Sequence, residues 1–165
     1  MPCRSDETMK GNTQHINSVE LPNEFFLKEV RALIADGRDV TLRVRGVSMR
    51  PFLEDRRDKI VLTRLEKAKV GDAVLAEIAP GKYVYHRIIR IDGNRVTLRG
   101  DGNVYGTEQC ALKDIAAATK ELIRKERHYS PEGRAWRWYS ALWPSNVLMR
   151  RVLLAVHRRL PRNWR

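Results

Sequence analysis

Two periodicities divide this chain. Between Asn23 and Asp36, the apolar residues Phe26, Leu27, Val30, Leu33 and Ile34 recur at helical spacing. They predict a helix with Asn23 as its cap, Glu24 in its first turn and Gly37 as its terminator. From Asp39 the period falls to two. Val40, Leu42 and Val44 point one way, and Thr41, Arg43 and Arg45 the other. Further short strands are expected at Lys59–Thr63, Ala73–Ile78, Tyr83–Ile91 and Arg95–Arg99. The turns Val70-Gly71-Asp72, Ala79-Pro80-Gly81-Lys82, Asp92-Gly93 and Gly100-Asp101-Gly102-Asn103 separate them. Short strands joined by tight turns, with no helices between them, predict an antiparallel β domain or partly closed barrel. Leu112–Leu122 fits a last strand or a helix equally. Tyr129–Gly133 reads as a linker, and Ala135–Leu142 is aromatic and basic until Pro144 breaks it. Ser145 or Asn146 caps a last helix through Leu160.

The expected organisation has three parts. Residues 1–21 are polar, irregular and disordered. Residues 22–127 form the β domain with its leading helix, and 128–165 form a basic, aromatic tail. A 42% hydrophobic fraction is enough for one core at this length. The net charge of +12 is unevenly spread, and residues 120–165 hold most of it. The basic character therefore belongs to the tail.

Cys3 and Cys110 lie far apart and read as free thiols in a reducing compartment. With the scattered His15, His128 and His157 they make no metal-spaced set, so no metal and no cofactor is expected. The polar residues 1–20 contain no secretory signal. No stretch reaches the roughly 18 consecutive apolar residues of a membrane span. The expected location is the cytoplasm, free or at the inner face of the membrane.

The stretch from Arg45 to Leu53 carries the candidate chemistry. Ser48 sits between Gly46, which can adopt positive φ, and Pro51, which stiffens the chain. Alone this is an ordinary turn serine. His86 lies on the longest predicted strand, sharing a face with Val84 and Ile88. Alone it is a half-buried strand histidine satisfied by a carbonyl. Asp101 alone is a turn residue.

Together these segments resemble the superfamily of signal peptidase I and LexA-like serine peptidases. Its Ser-Met-x-Pro motif is met at Ser48, Met49 and Pro51, and its Gly-Asp-x-Val motif at Gly71, Asp72 and Val74. Its late Gly-Asp-(x)-Asn motif is met at Gly100, Asp101 and Asn103. The base of this superfamily is a lysine in bacterial signal peptidases and LexA-type repressors. It is a histidine, followed by Arg-Ile, in the endoplasmic-reticulum and archaeal type, and this chain has His86-Arg87-Ile88.

The resemblance covers Val40 to Cys110. It implies a mainly β, antiparallel fold and a serine endopeptidase acting on a peptide or protein precursor. Ser48 would attack, His86 would serve as base and Asp101 would orient His86. Gly46, Val47, Met49 and Pro51 would shape the nucleophile loop, with the Ser48 N–H as an oxyanion donor.

This chain departs from the pattern in several places. No membrane anchor and no helix-turn-helix domain precedes Ser48, and no Ala-Gly or Cys-Gly self-cleavage pair is seen. Some relatives carry a serine hydroxyl donor where Gly46 stands. Glu108 is the only acid between the late motif and Asp114. The competing class is an inactive module of the same fold that holds a peptide.

The tail has three readings. Its last helix combines a broad apolar face (Val147, Leu148, Val152, Leu153, Val156, Leu160) with Arg150, Arg151, Arg158 and Arg159. That composition suits an amphipathic helix lying peripherally on a membrane. It suits equally a helix packed on the β domain. Nucleic acid ranks last, because no nucleic-acid motif accompanies the charge.

Overall fold

The computed structural model describes residues 23–161; the disorder expected for 1–21 lies outside them. Helix α1 (Asn23–Ala35) leads into β1 (Val40–Arg43), β2 (Lys59–Thr63), β3 (Ala73–Ala79), β4 (Lys82–Asp92), β5 (Arg95–Arg99) and β6 (Glu108–Ala111). A single 3-10 turn then leads to β7 (Ile115–Arg124), β8 (Arg127–Tyr129), α2 (Arg134–Leu142) and α3 (Val147–Arg159). The strands form one antiparallel sheet in the order β1-β2-β7-β3-β4-β5-β6, with β8 paired to β7. The fold is mainly β with helices at both ends, as the period-two pattern implied.

The alternation of each strand fills two cores. Leu75 of β3 faces the first, with Ile34 of α1, Leu53, Leu62, Leu122 and Trp136. Its neighbours Val74 and Ala76 face the second, with Ile88, Val96 and Leu98. β3 also approaches β6, so this half of the sheet curls around the second core. A strand buried on both faces needs apolar residues on both, which is why β3 reads Ala-Val-Leu-Ala.

The ambiguous stretch at 112–122 is the 3-10 turn followed by most of β7, the strand between β2 and β3. Its alanines favour helix by propensity, but Ala117 and Ala118 pair with Leu75 and Val74 in the sheet interior. Tertiary pairing overrides the local preference. Among the described residues β1 pairs only with β2, and it runs straight into the Ser48 turn.

The tail packs on the domain. Trp136 of α2 is buried in the first core, and Phe52 meets Trp136 and Tyr139 with ring centroids 5.0 and 4.9 Å apart. Asn146 caps α3, its side chain accepting from the Leu148 and Met149 N–H groups at 2.8 and 3.3 Å.

Candidate active site

The Ser48 turn is held at both ends. Beyond β1, the Val44 N–H donates to the Asp58 carbonyl at 2.8 Å, and the Arg56 N–H to the Val44 carbonyl at 2.8 Å. These bonds close residues 44–58 into one excursion from the sheet. Gly46 has φ +89°, and its N–H donates to Asp55 Oδ1 at 2.7 Å. An L side chain would strain that conformation. Met49, Phe52 and Leu53 are buried and anchor the turn in the first core.

Within the charged segment Glu54–Asp58, Asp58 is fully buried. Its carboxylate accepts from the Glu54 and Lys125 N–H groups and pairs with Arg57 at 2.7 Å. Ser48 itself is half-buried. Among the described residues its hydroxyl makes no hydrogen bond, and its N–H has no acceptor.

His86 of β4 is brought to this turn by the glycines after β5. The Gly102 N–H donates to the Ser48 carbonyl at 2.7 Å. A Cβ on Gly102 would lie 2.2 Å from the Val47 carbonyl oxygen. A Cβ on Gly100 would lie 2.5 Å from the Ser48 carbonyl oxygen and 3.0 Å from His86 Nε2. The late motif therefore needs glycine for close approach, and the same spot brings His86 Nε2 and the Ser48 backbone together. Gly102→Ala is expected to displace the turn and cut covalent labelling of Ser48 by about 100-fold or more, since misplacement by an ångström costs that much. Intact mass after exposure to a serine-directed probe measures it, and undiminished labelling would refute the need for this approach.

The expected orienting residue is not the one the structure provides. Asp101 accepts Arg87 Nε and Nη2 on its two oxygens at 2.9 and 2.7 Å, and the Tyr139 hydroxyl at 2.8 Å. It is buried and saturated, and it holds Arg87 rather than His86. His86 Nδ1 instead meets Glu108 Oε2 at 2.9 Å. Glu108 opens β6 and pairs with Leu98, which also pairs with Ile88 of β4. A carboxylate accepts only, so Nδ1 carries a hydrogen, and in the neutral ring the lone pair is then on Nε2. That is the tautomer a general base requires.

The tail completes the frame. Arg150 of α3, 5% exposed, donates to the carbonyls of Gly100, Asp101 and Asn103 at 3.0, 3.4 and 3.1 Å. Burial lowers its pKa, with Arg99 adding to the effect. The Trp143 indole N–H donates to the Asp101 carbonyl at 3.1 Å. His157 Nε2 lies 3.2 Å from Glu54 Oε1, and Arg50 pairs with Glu54 at 2.9 Å. Thus α3 touches both loops of the site. Burial opposes the Arg87 charge, but the bonds and charge of Asp101 outweigh it, so its pKa rises. Burial also raises the Tyr139 pKa well above the usual phenol value, with Asp101 adding to it, so Tyr139 stays a donor. Among the described residues, no group of three or more His, Cys, Asp or Glu side chains could hold a metal ion.

The profile of the Peptidase S24-like family matches residues 7–121. The chain belongs to the Peptidase S24-like family. This family lies in the LexA and signal peptidase I-like superfamily, so the chain has a peptidase-type fold. The S24-like match spans Ser48, His86, Asp101 and Glu108, whereas α2 and α3 lie beyond it. No curated protein matches the chain. In this S24-like chain, no helix among the described residues is long and apolar enough to cross a membrane.

Proposed function

We propose that this chain is a serine endopeptidase whose catalytic groups are Ser48 and His86, with Glu108 in support. It would be of the Ser-His type found in endoplasmic-reticulum and archaeal signal peptidases. The observation that carries the reading is the 2.9 Å contact of Glu108 with His86 Nδ1, which leaves Nε2 free beside the Ser48 turn. Ser48 Oγ attacks the scissile carbonyl carbon while its proton passes to His86 Nε2. The Ser48 N–H steadies the oxyanion and Glu108 the imidazolium. The imidazolium then gives its proton to the leaving amine. Water, activated by neutral His86, hydrolyses the acyl-serine.

The substrate on this reading is an extended segment of a peptide or precursor, added to the edge of β1 that no described strand pairs. A groove of about 1130 Å³ between β2, β3, β7 and α2 is lined by neither Ser48 nor His86, so on this reading it is not the catalytic groove. Gly46 favours a second reading, a module that holds the peptide without cutting it, because it offers no side-chain oxyanion donor.

A serine-directed covalent probe separates the two. Wild type should gain one adduct. Ser48→Ala and His86→Ala should show none. Wild type that stays unlabelled across a scan from about pH 5 to 9 would leave the peptide-holding module.

A further inference from the structure

Helix α3 packs with its faces reversed. A helix on a globular domain normally turns its apolar stripe inward and its charges out. Here the inward face carries Arg150 and His157 beside Leu154. The outward face carries Leu148, Met149, Val152 and Val156, which are 69%, 57%, 54% and 53% exposed. On α2, Trp138 and Leu142 are likewise exposed at 63% and 72%. The inward polar face has a cause: three carbonyls of the 100–103 loop need the Arg150 guanidinium. Among the described residues nothing covers the outward apolar face, and its exposure is unfavourable.

Charge identifies what covers it. From Gly133 to the last residue the sequence has no acid, and Arg137, Arg151 and Arg159 are exposed beside the apolar stripes. An acid-free apolar face rimmed by arginines is complementary to a surface that is apolar inside and anionic at its border. We propose that the outer face of α3, with α2, docks on an anionic lipid bilayer, lying in the headgroup layer without crossing it. Arg150 and His157 grip the site loops from the opposite side of α3, so Ser48 would sit about one helix diameter, roughly 10 Å, from the lipid. If the peptidase reading holds, substrates would be precursors presented at the bilayer surface; that clause alone rests on it.

Vesicle flotation of the full chain tests the docking. Wild type should float with phosphatidylcholine vesicles containing phosphatidylglycerol, not with phosphatidylcholine alone, and salt should weaken it. Arg151→Gln with Arg159→Gln should lower partitioning by more than about ten-fold, at roughly five-fold per arginine. Leu148→Asp with Val152→Asp should abolish it while Tm stays at the wild-type value, since both positions are exposed. Ser48→Ala should float like wild type, which separates this proposal from the peptidase reading. Folded wild type that fails to float, or that floats equally with neutral vesicles, would overturn the proposal. So would a wild-type dimer in solution that Leu148→Asp with Val152→Asp converts to monomer, because a second copy would then be the occupant.

Discussion

Glu108→Gln is expected to slow covalent labelling of Ser48 by up to about ten-thousand-fold, the loss seen when a triad carboxylate becomes an amide. The amide has two ways to meet His86 Nδ1, and both fail. If its carbonyl accepts from Nδ1–H, the tautomer is kept but the negative charge that steadies the imidazolium is gone. If its NH2 donates to Nδ1, the ring hydrogen moves to Nε2, which can then no longer take the Ser48 proton. Glu108→Ala should lose at least as much. Glu108 is partly exposed, with 26% of its side-chain surface accessible, and has no place in either buried core. Its loss should therefore leave Tm near the wild-type value. Activity lost at constant stability is the signature of a group that acts through the base. If labelling is unchanged in both variants, the Glu108 contact is a surface ion pair of the kind that contributes little.

Glu108 was hard to find in the sequence, and the reason is physical. β6 has four residues, Glu-Gln-Cys-Ala, with no apolar alternation, so nothing marks it as a strand. Without β6 there is no pairing to Leu98, and without that pairing nothing carries Glu108 across to His86. Asp101 looked better because it stands inside a recognisable motif. The motif does belong to the site, but through its glycines. Gly100 and Gly102 let the Ser48 turn and His86 approach, and the carboxylate between them is taken by Arg87. Close approach between backbones is a pairwise property, invisible until both partners are placed.

Elsewhere legibility followed the strength of local patterning. β2 and β5 lie at the residues that alternation predicted, and β3 and β4 within one residue at each end, because each turn between them carries glycine or proline chemistry; β1 ends at Arg43, before the alternation does. β7 was illegible since its alanines are chosen by the sheet interior and not by local propensity. The last helix was visible but α2 was not, and neither was the side of α3 that faces the domain. Amphipathicity alone turns Leu148 and Val152 inward. Only the carbonyls of the 100–103 loop, which lie some fifty residues earlier in the chain, explain why Arg150 goes there instead.

Asp101→Ala, in contrast to Glu108→Gln, is expected to act on stability first. Asp101 and Arg87 form a pair with 1% and 9% of their side chains exposed, joined by two hydrogen bonds. Removing one partner of such a pair leaves a buried charge uncompensated, at a cost of about 3–5 kcal/mol. In a domain of this size that lowers Tm by roughly 6–20 °C. The lower end is favoured, because Arg87 keeps the Gly71 carbonyl at 2.9 Å, the Ser140 hydroxyl at 2.6 Å and the faces of Trp136 and Tyr139. The double variant Arg87→Met with Asp101→Ala provides the check. It removes the orphaned charge along with its partner, so it should be more stable than Asp101→Ala alone, a non-additivity read directly as a mutant cycle. Labelling of Ser48 should fall in Asp101→Ala, but only in step with the loosening of the 100–103 loop, and the double variant should regain part of it. An Asp101→Ala protein that melts like wild type yet cannot be labelled would put the carboxylate back in the chemistry, since a purely structural role leaves no way to lose one without the other.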